Sequence, residues 1–127
     1  MAIYKIAIKN KDKIDNAQLS LENNKLDFIF QDFIISSKNS SPFIALQELR
    51  QQLENQDIYL LVNGSRRNVY PSGLQMSMGV ATAYVLELGK PSDVIVDIFA
   101  SISHDDVATV DEQREFHKKW VESIRKL

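Results

Sequence analysis

Apolar and polar residues alternate in two short segments near the start of the chain, and this pattern limits the fold more than any other feature. Tyr4, Ile6 and Ile8 are separated by polar or small residues, and the alternation returns at Leu26 and Phe28. A period of two places every second side chain on the same face of a β-strand. The sequence therefore predicts strands with one covered face, against which another layer must pack.

The second alternating segment changes phase. Phe33 and Ile35 continue its apolar face one residue out of step. A β-bulge near residues 31–32 would restore the register, so residues 26–36 are predicted as one bent strand. The polar stretch 9–25 before it is predicted as a connection containing a short helical turn.

Two later segments have apolar residues at helical spacing and begin with helix-start signals. The first predicts a helix from Pro42 to about Asn55, with proline at its first position. Before the second, Thr109 and Glu112 have the spacing of a capping box. Phe116 and Trp120 then lie on one face, and we expect both to be buried against the sheet.

The predicted elements follow one another in an order that is typical of an α+β domain. Further strands are predicted at residues 58–62, 83–88 and 94–100, with a structured loop at 65–79. The order is β-β-α-β-β-β-α. Most strands follow one another through short turns, so we expect a mostly antiparallel sheet of about five strands with two packed helices. All 127 residues are assigned to one domain.

Composition narrows the function classes. The 127 residues include no cysteine, which excludes disulfides and thiolate metal sites. No apolar run approaches the roughly 20 residues of a membrane span, and the first nine residues do not resemble a signal peptide. We therefore expect a cytoplasmic protein that does not contact membranes. A net charge of −2 argues against direct nucleic-acid binding.

Motifs for catalysis are missing from the sequence. It contains no Gly-x-Ser-x-Gly elbow, no phosphate-binding glycine loop and no His-Glu-x-x-His pair. His104, Asp105 and Asp106 could supply part of a metal site, but aspartate-rich turns are common for local reasons. We expect neither an enzyme nor a cofactor, and we assign no catalytic or metal-binding residue.

The loop after the third predicted strand carries an unusual combination of side chains: Arg66, Arg67 and Tyr70. Arginine forks hold phosphates and carboxylates through two hydrogen bonds, so the loop could bind such a ligand. Alternatively, one arginine could pair with Glu87 or Asp97 and fasten the loop. The sequence leaves both interpretations open.

Acidic residues concentrate in residues 91–115, where seven of them face a single basic residue. Helix capping explains some of these charges, but not the neighbouring loop carboxylates. An acidic surface can attract a basic partner and speed its capture. We therefore predict that the partner-binding residues include Asp105, Asp106, Asp111 and Glu115.

Three segments carry a resemblance to a known group of proteins: Leu61–Leu74, Ala83–Pro91 and Val96–Phe99. They resemble small bacterial proteins found near polymorphic toxin and contact-dependent growth inhibition systems. The resemblance covers roughly residues 60–120 and implies a cognate immunity protein. Such a cytoplasmic domain would bind one cognate protein toxin and block its active site. Nucleases are one class of such toxins.

Two functions of different classes therefore stand as hypotheses. The first is a toxin-neutralising immunity protein that meets its partner through the acidic residues and through Arg66, Arg67 and Tyr70. The second is a small enzyme or ligand-binding domain that recognises a phosphate- or carboxylate-bearing ligand through Arg66 and Arg67. A structural subunit of a larger assembly is a third alternative. The missing catalytic motifs favour the first hypothesis.

Overall fold

Four consecutive strands form an antiparallel meander at the start of the chain. The computed structural model describes residues 1–103 and 106–127. These strands are β1 Ala2–Asn10, β2 Lys13–Glu22, β3 Lys25–Phe30 and β4 Phe33–Lys38, and a fifth strand is β5 Ile58–Leu60. Strand β5 pairs antiparallel with β1, so the order across the sheet is β4-β3-β2-β1-β5.

The prediction of one bent strand over residues 26–36 was wrong. The segment is a hairpin of β3 and β4, closed by a tight turn at Gln31 and Asp32 with Phe30 opposite Phe33. Gln31 has a φ of 56°, a left-handed conformation that glutamine seldom adopts. A two-residue turn shifts the apolar face by one position along the chain, and so produces the same phase change as a bulge.

The polar connection predicted for residues 9–25 was also wrong, because most of it is β2. Leu19 is buried on the covered face, with Ala17 and Leu21 partly buried on either side. The same face carries Lys13 and Asp15 in the first half of the strand, so the apolar alternation covers only three positions. Asn23 and Asn24, both with positive φ, then turn the chain into β3.

Helix α1, Pro42–Glu54, covers the inner face of this sheet and confirms the predicted helix. Ser41 caps it by accepting a hydrogen bond from the Ile44 amide. Phe43, Leu46 and Leu49 are completely buried in the resulting core. Burying side chains of this size contributes roughly 1.5–3 kcal/mol each.

A second, smaller antiparallel sheet follows, with the order β6-β7-β8. The α+β class and the antiparallel pairing are therefore confirmed. The described residues form two sheets and three α-helices, however, instead of the predicted one sheet and two helices. A 3₁₀ turn at Asn63–Ser65 connects β5 to this sheet. The remaining bounds are β6 Val69–Tyr70, α2 Gly73–Met78, β7 Thr82–Glu87, β8 Lys90–Asp97 and α3 Val110–Arg125.

Helix α2 lies inside the stretch predicted as a loop. Ser72 and Gln75 form a capping box, in which each side chain accepts a hydrogen bond from the other residue's backbone amide. Gly79 ends the helix in the left-handed conformation, with a φ of 68°. Both signals are present in the sequence, but six residues are too few for an apolar stripe to reveal the helix.

Helix α3 begins where it was predicted to begin, but its aromatic residues are less buried than predicted. The Thr109–Glu112 capping box is present, so the helix start is confirmed. Phe116 and Trp120, expected to be buried, are only half-buried. The residues of α3 that are buried are Val110 and Gln113, because the helix lies over the small sheet with its N-terminal end deepest in the core.

A buried polar cluster of Gln47, Arg50 and Gln113 joins α1 to α3. Gln113 is 0% exposed and Arg50 is 3% exposed. The Arg50 guanidinium donates to Gln113 Oε1 at 2.7 Å, to the Gly64 carbonyl at 3.0 Å and to the Ala108 carbonyl at 2.8 Å. Burial lowers the pKa of Arg50 to about 10, so the guanidinium stays charged at neutral pH.

Helices α1, α2 and α3 contain 13, 6 and 16 residues. In the described part of the chain, none of them combines enough length with enough apolar character to span a membrane.

Candidate functional site

The largest cavity described lies at one end of the five-stranded sheet and has a volume of about 870 Å³. Three connections meet there: the β1–β2 turn, the β3–β4 turn and the segment from α1 to β5. We call this cavity the acidic groove. It is lined by Lys11, Phe30, Asp32, Phe33, Glu54, Asp57 and Ile58, together with neighbouring amide side chains.

Tight turns hold the rim of the acidic groove in place. Lys11, Gln31 and Asp57 all have φ between 56° and 58°, so each connection reverses within a few residues. The Lys11 amide donates to the Asp57 carbonyl at 2.8 Å, which ties the first turn to the end of α1. The rim is therefore built from constrained backbone.

Aromatic rings form the floor of the acidic groove. Phe30 and Phe33 face each other across the β3–β4 turn and are partly exposed. Phe33 also packs edge-on against the buried Phe28 ring, with centroids 6.1 Å apart. Apolar surface of these rings therefore lines the groove together with charged side chains.

The charges around the floor are mostly negative. Asp32, Glu54 and Asp57 line the groove with one cation, Lys11. Within the described ranges, the ion pairs are Lys25 with Asp27, Lys90 with Glu87, and Lys126 with Glu122, so these groove carboxylates have no ion-pair partner there.

The pKa of Glu54 reflects the burial and the charges at the groove. Burial is the largest cause of its raised pKa, and the carboxylates of Asp111 and Glu112 raise the pKa further. The Val110 amide, which donates to Glu54 Oε2 at 3.0 Å, and the nearby Arg50 both act in the opposite direction. The start of α3 therefore adjoins the groove and adds two negative charges to it.

The acidic residues predicted from the sequence fall partly at this surface. Asp105 lies outside the described residues, as does His104. Asp106, Asp111 and Glu115 are exposed. Only Asp111 is connected to the groove, through its effect on Glu54.

The two predicted arginines have local contacts. Arg66 donates to Asn63 Oδ1 at 3.3 Å, and its buried Nε has no hydrogen-bond acceptor among residues 1–103 and 106–127. Arg67 is exposed, with its guanidinium 5.5 Å from the centre of the Phe116 ring. Neither arginine lines any of the four cavities described.

Tyr70 lies in a different place, on the wall of a smaller cavity of about 210 Å³ between α2, the small sheet and α3. Its ring stacks on His117 with centroids 3.9 Å apart and planes 11° apart. We call this cavity the aromatic cleft. Its larger side chains are Tyr70, Met76, Tyr84, Leu86, His117 and Trp120.

Sequence reasoning missed the groove itself. Glu54 and Asp57 flank the end of a confirmed helix, and Asp32 lies in a turn that was interpreted as a bulge. Nothing in the local sequence marks Asp32 as a neighbour of Glu54 and Asp57, because the order of the strands in the sheet brings their turns together. The signal in the sequence that could have pointed to the groove is the hairpin turn at Gln31–Asp32.

Comparisons with known proteins returned no relative. No model of a protein family matches the chain, and no curated protein matches it. Across the described residues, no group of three or more histidine, aspartate or glutamate side chains is arranged to hold a metal ion.

Proposed function

We propose that the chain is a protein-binding domain that captures a basic segment of a partner protein in the acidic groove. The observation that carries this proposal is the combination of an aromatic floor, Phe30 and Phe33, with a rim of carboxylates that lack ion-pair partners among the described residues. A groove of this size with a few convergent polar groups is the usual form of a binding site.

Lysine and arginine side chains match both parts of the groove. Their aliphatic stems can cover apolar surface while the charged ends reach polar surroundings. Stems lying on Phe30 and Phe33 would bring the cationic ends to Asp32 and Asp57. Adding a cation would also relieve the mutual repulsion of Glu54, Asp111 and Glu112.

We further propose that the partner is a protein toxin that this domain neutralises in the cytoplasm. This narrower proposal rests on the resemblance of residues 60–120 to immunity proteins and on the charge of the groove. Toxins that cleave nucleic acids need basic surfaces to hold phosphates. An acidic domain that covers such a surface inhibits without any chemistry of its own.

A direct experiment uses a capped ten-residue peptide of alternating lysine and leucine, titrated into the ¹⁵N-labelled protein. We expect shifts of the amide signals around Asp32, Glu54 and Asp57, and a loss of affinity as salt increases. A peptide with glutamate in place of lysine should not bind. Equal binding of both peptides, or shifts located elsewhere, would contradict the proposal.

A matched pair of variants locates the contact. Asp32→Asn with Asp57→Asn removes two charges, and asparagine tolerates the positive φ at residue 57. Glu22→Gln, on the exposed end of β2, is the control and should bind like the wild type. We expect about a tenfold or greater loss of affinity in the double variant, which corresponds to 1.4 kcal/mol or more.

The toxin proposal has its own test. The protein encoded next to this chain's gene is expressed in a bacterial host with the wild-type chain, the double variant or neither. We expect growth arrest without the chain, rescue by the wild type and weaker rescue by the double variant. If the neighbouring protein does not arrest growth, the toxin assignment is wrong, whereas the result with the peptides still stands.

A further inference from the structure

The aromatic cleft is walled by a layered set of rings. Tyr70 and His117 stack with planes 11° apart, and His117 and Trp120 lie 22° from parallel with centroids 6.2 Å apart. The Phe43 ring packs at 62° against Tyr70 from the core side and fixes its tilt. The Trp120 indole is anchored by a 3.0 Å hydrogen bond from Nε1 to the Lys90 carbonyl.

Charged residue types are missing from the lining of the cleft. Among the residues that the structure describes, this lining contains no lysine, arginine, aspartate or glutamate. Its histidine, His117, has a pKa lowered by burial, which favours the neutral ring. A charged ligand would lose its hydration there without gaining an ion pair, so this lining selects against ions.

Size and available polar groups narrow the ligand further. The volume of about 210 Å³ is below the roughly 300–1,000 Å³ typical of sites for drug-sized molecules. It suits one ring or two fused rings. Ser92 and Tyr84, which both carry a hydroxyl group, are among the lining residues, and no side-chain hydrogen bond described within residues 1–103 and 106–127 involves either of them.

We propose that the aromatic cleft binds an uncharged, planar aromatic group of one or two rings that carries a hydrogen-bonding substituent. Offset stacking on near-parallel rings supplies the attraction, since aromatic pairs favour offset or edge-on arrangements with centroids 4.5–7 Å apart. The substituent would reach the hydroxyl of Ser92 or Tyr84. This site is separate from the acidic groove and does not depend on the function proposed for it.

The chain provides its own reporter for this site, because Trp120 is its single tryptophan. The ¹H–¹⁵N spectrum therefore contains one indole signal, which belongs to a wall of the cleft. We expect *p*-cresol to shift that signal with a dissociation constant on the order of 1–10 mM, as is usual for a ligand of so few atoms. 4-Methylcyclohexanol, of similar size without the ring, should bind at least tenfold more weakly, and benzoate should not bind.

Gly73 is the position chosen for adding a side chain that fills the cleft. It lines the cavity, and a Cβ added there meets no atom within 4 Å. Gly73→Phe should abolish the *p*-cresol shift. Leu74→Phe places the same ring one residue further, at a position that is 68% exposed and outside the cleft, and should leave binding unchanged.

The source of the aromatic group is tested with the capped tripeptide Gly-Tyr-Gly. Binding as tight as that of *p*-cresol identifies a side chain of a protein as the natural occupant, and at least tenfold weaker binding identifies a free small molecule. An unmoved indole signal at 20 mM *p*-cresol would overturn the proposal. Equal binding of *p*-cresol and 4-methylcyclohexanol, or an undiminished shift in Gly73→Phe, would also overturn it.

Discussion

Gln113 Oε1 accepts a hydrogen bond from the Arg50 guanidinium at 2.7 Å, across a sequence separation of 63 residues. The Gln113 amide nitrogen lies within 3.0 Å of three backbone carbonyls, those of Gly64, Arg66 and Val69. One buried side chain thus contacts both the cation of α1 and the segment that leads into the small sheet. It ties the start of α3 to these two parts of the core.

Replacing Gln113 by leucine should therefore be severely destabilising. The substitution removes one of the three hydrogen bonds that the buried Arg50 guanidinium donates and takes a donor away from the carbonyls of Arg66 and Val69. Each buried polar group left without a partner costs roughly 1–3 kcal/mol. Urea denaturation of the wild type and the variant measures the loss. Adding Arg50→Met should cost less than the sum of the two single changes, because both remove the same hydrogen bond between the two side chains. Additive losses would show that the two side chains are not coupled.

Gly64 should tolerate no larger residue. A Cβ there would lie 2.5 Å from Leu46 Cδ2 and 3.1 Å from the Ile98 carbonyl oxygen. Overpacking of this kind typically costs about 1–3 kcal/mol, so Gly64→Ala should lower the thermal midpoint. Gly73→Ala, at the open first position of α2, is the control and should be neutral or slightly stabilising. A Gly64→Ala protein as stable as this control would contradict the packing described.

Local signals made part of this fold predictable. Proline after a capping serine located α1, and the Thr109–Glu112 pair located the start of α3. Both depend on residues within one turn of each other. The turns at Asn23–Asn24 and Gln31–Asp32 were missed because positive φ was adopted there without glycine.

Long-range contacts set the limit of sequence reasoning for the site. Gln113 was not recognised as a core residue, since its partners on other elements are 44 to 66 residues away. The acidic groove depends in the same way on which turns the sheet order brings together. Of the predicted site residues, Asp111 adjoins the groove and Tyr70 lines the cleft, whereas Arg66 and Arg67 line neither.

Glu54 should make the stability depend on pH. Its folded-state pKa is raised above 4.5, chiefly by burial, so its ionised form is less favourable in the folded protein than in the unfolded chain. Its contribution is therefore fully present below pH 4.5 and is lost as the pH rises through the raised value. Glu54→Gln should remove this loss, so its stability relative to the wild type should be greater at pH 7 than at pH 4. A pH-independent difference between the two proteins would rule out this role.

His117 should act at a higher pH and in the opposite direction. Burial lowers its pKa below 6.5, so folding favours the neutral ring that stacks on Tyr70. The corresponding stability is present above pH 6.5 and is lost as the pH falls through the lowered value. His117→Phe keeps a flat ring and removes the titration. The difference between the urea midpoints of the two proteins should change between pH 7.5 and pH 5. An unchanged difference would exclude His117 as the cause.

The distance in sequence between Arg50 and Gln113 also has a consequence for synthesis on the ribosome. Translation at roughly 5–20 residues per second separates the two residues by about 3–13 s. The meander and α1 are made first and can pair locally, yet the guanidinium has no side-chain amide to meet during that interval. We therefore expect the nascent chain to keep its central cation hydrated, and with it an open core, until the last helix is made.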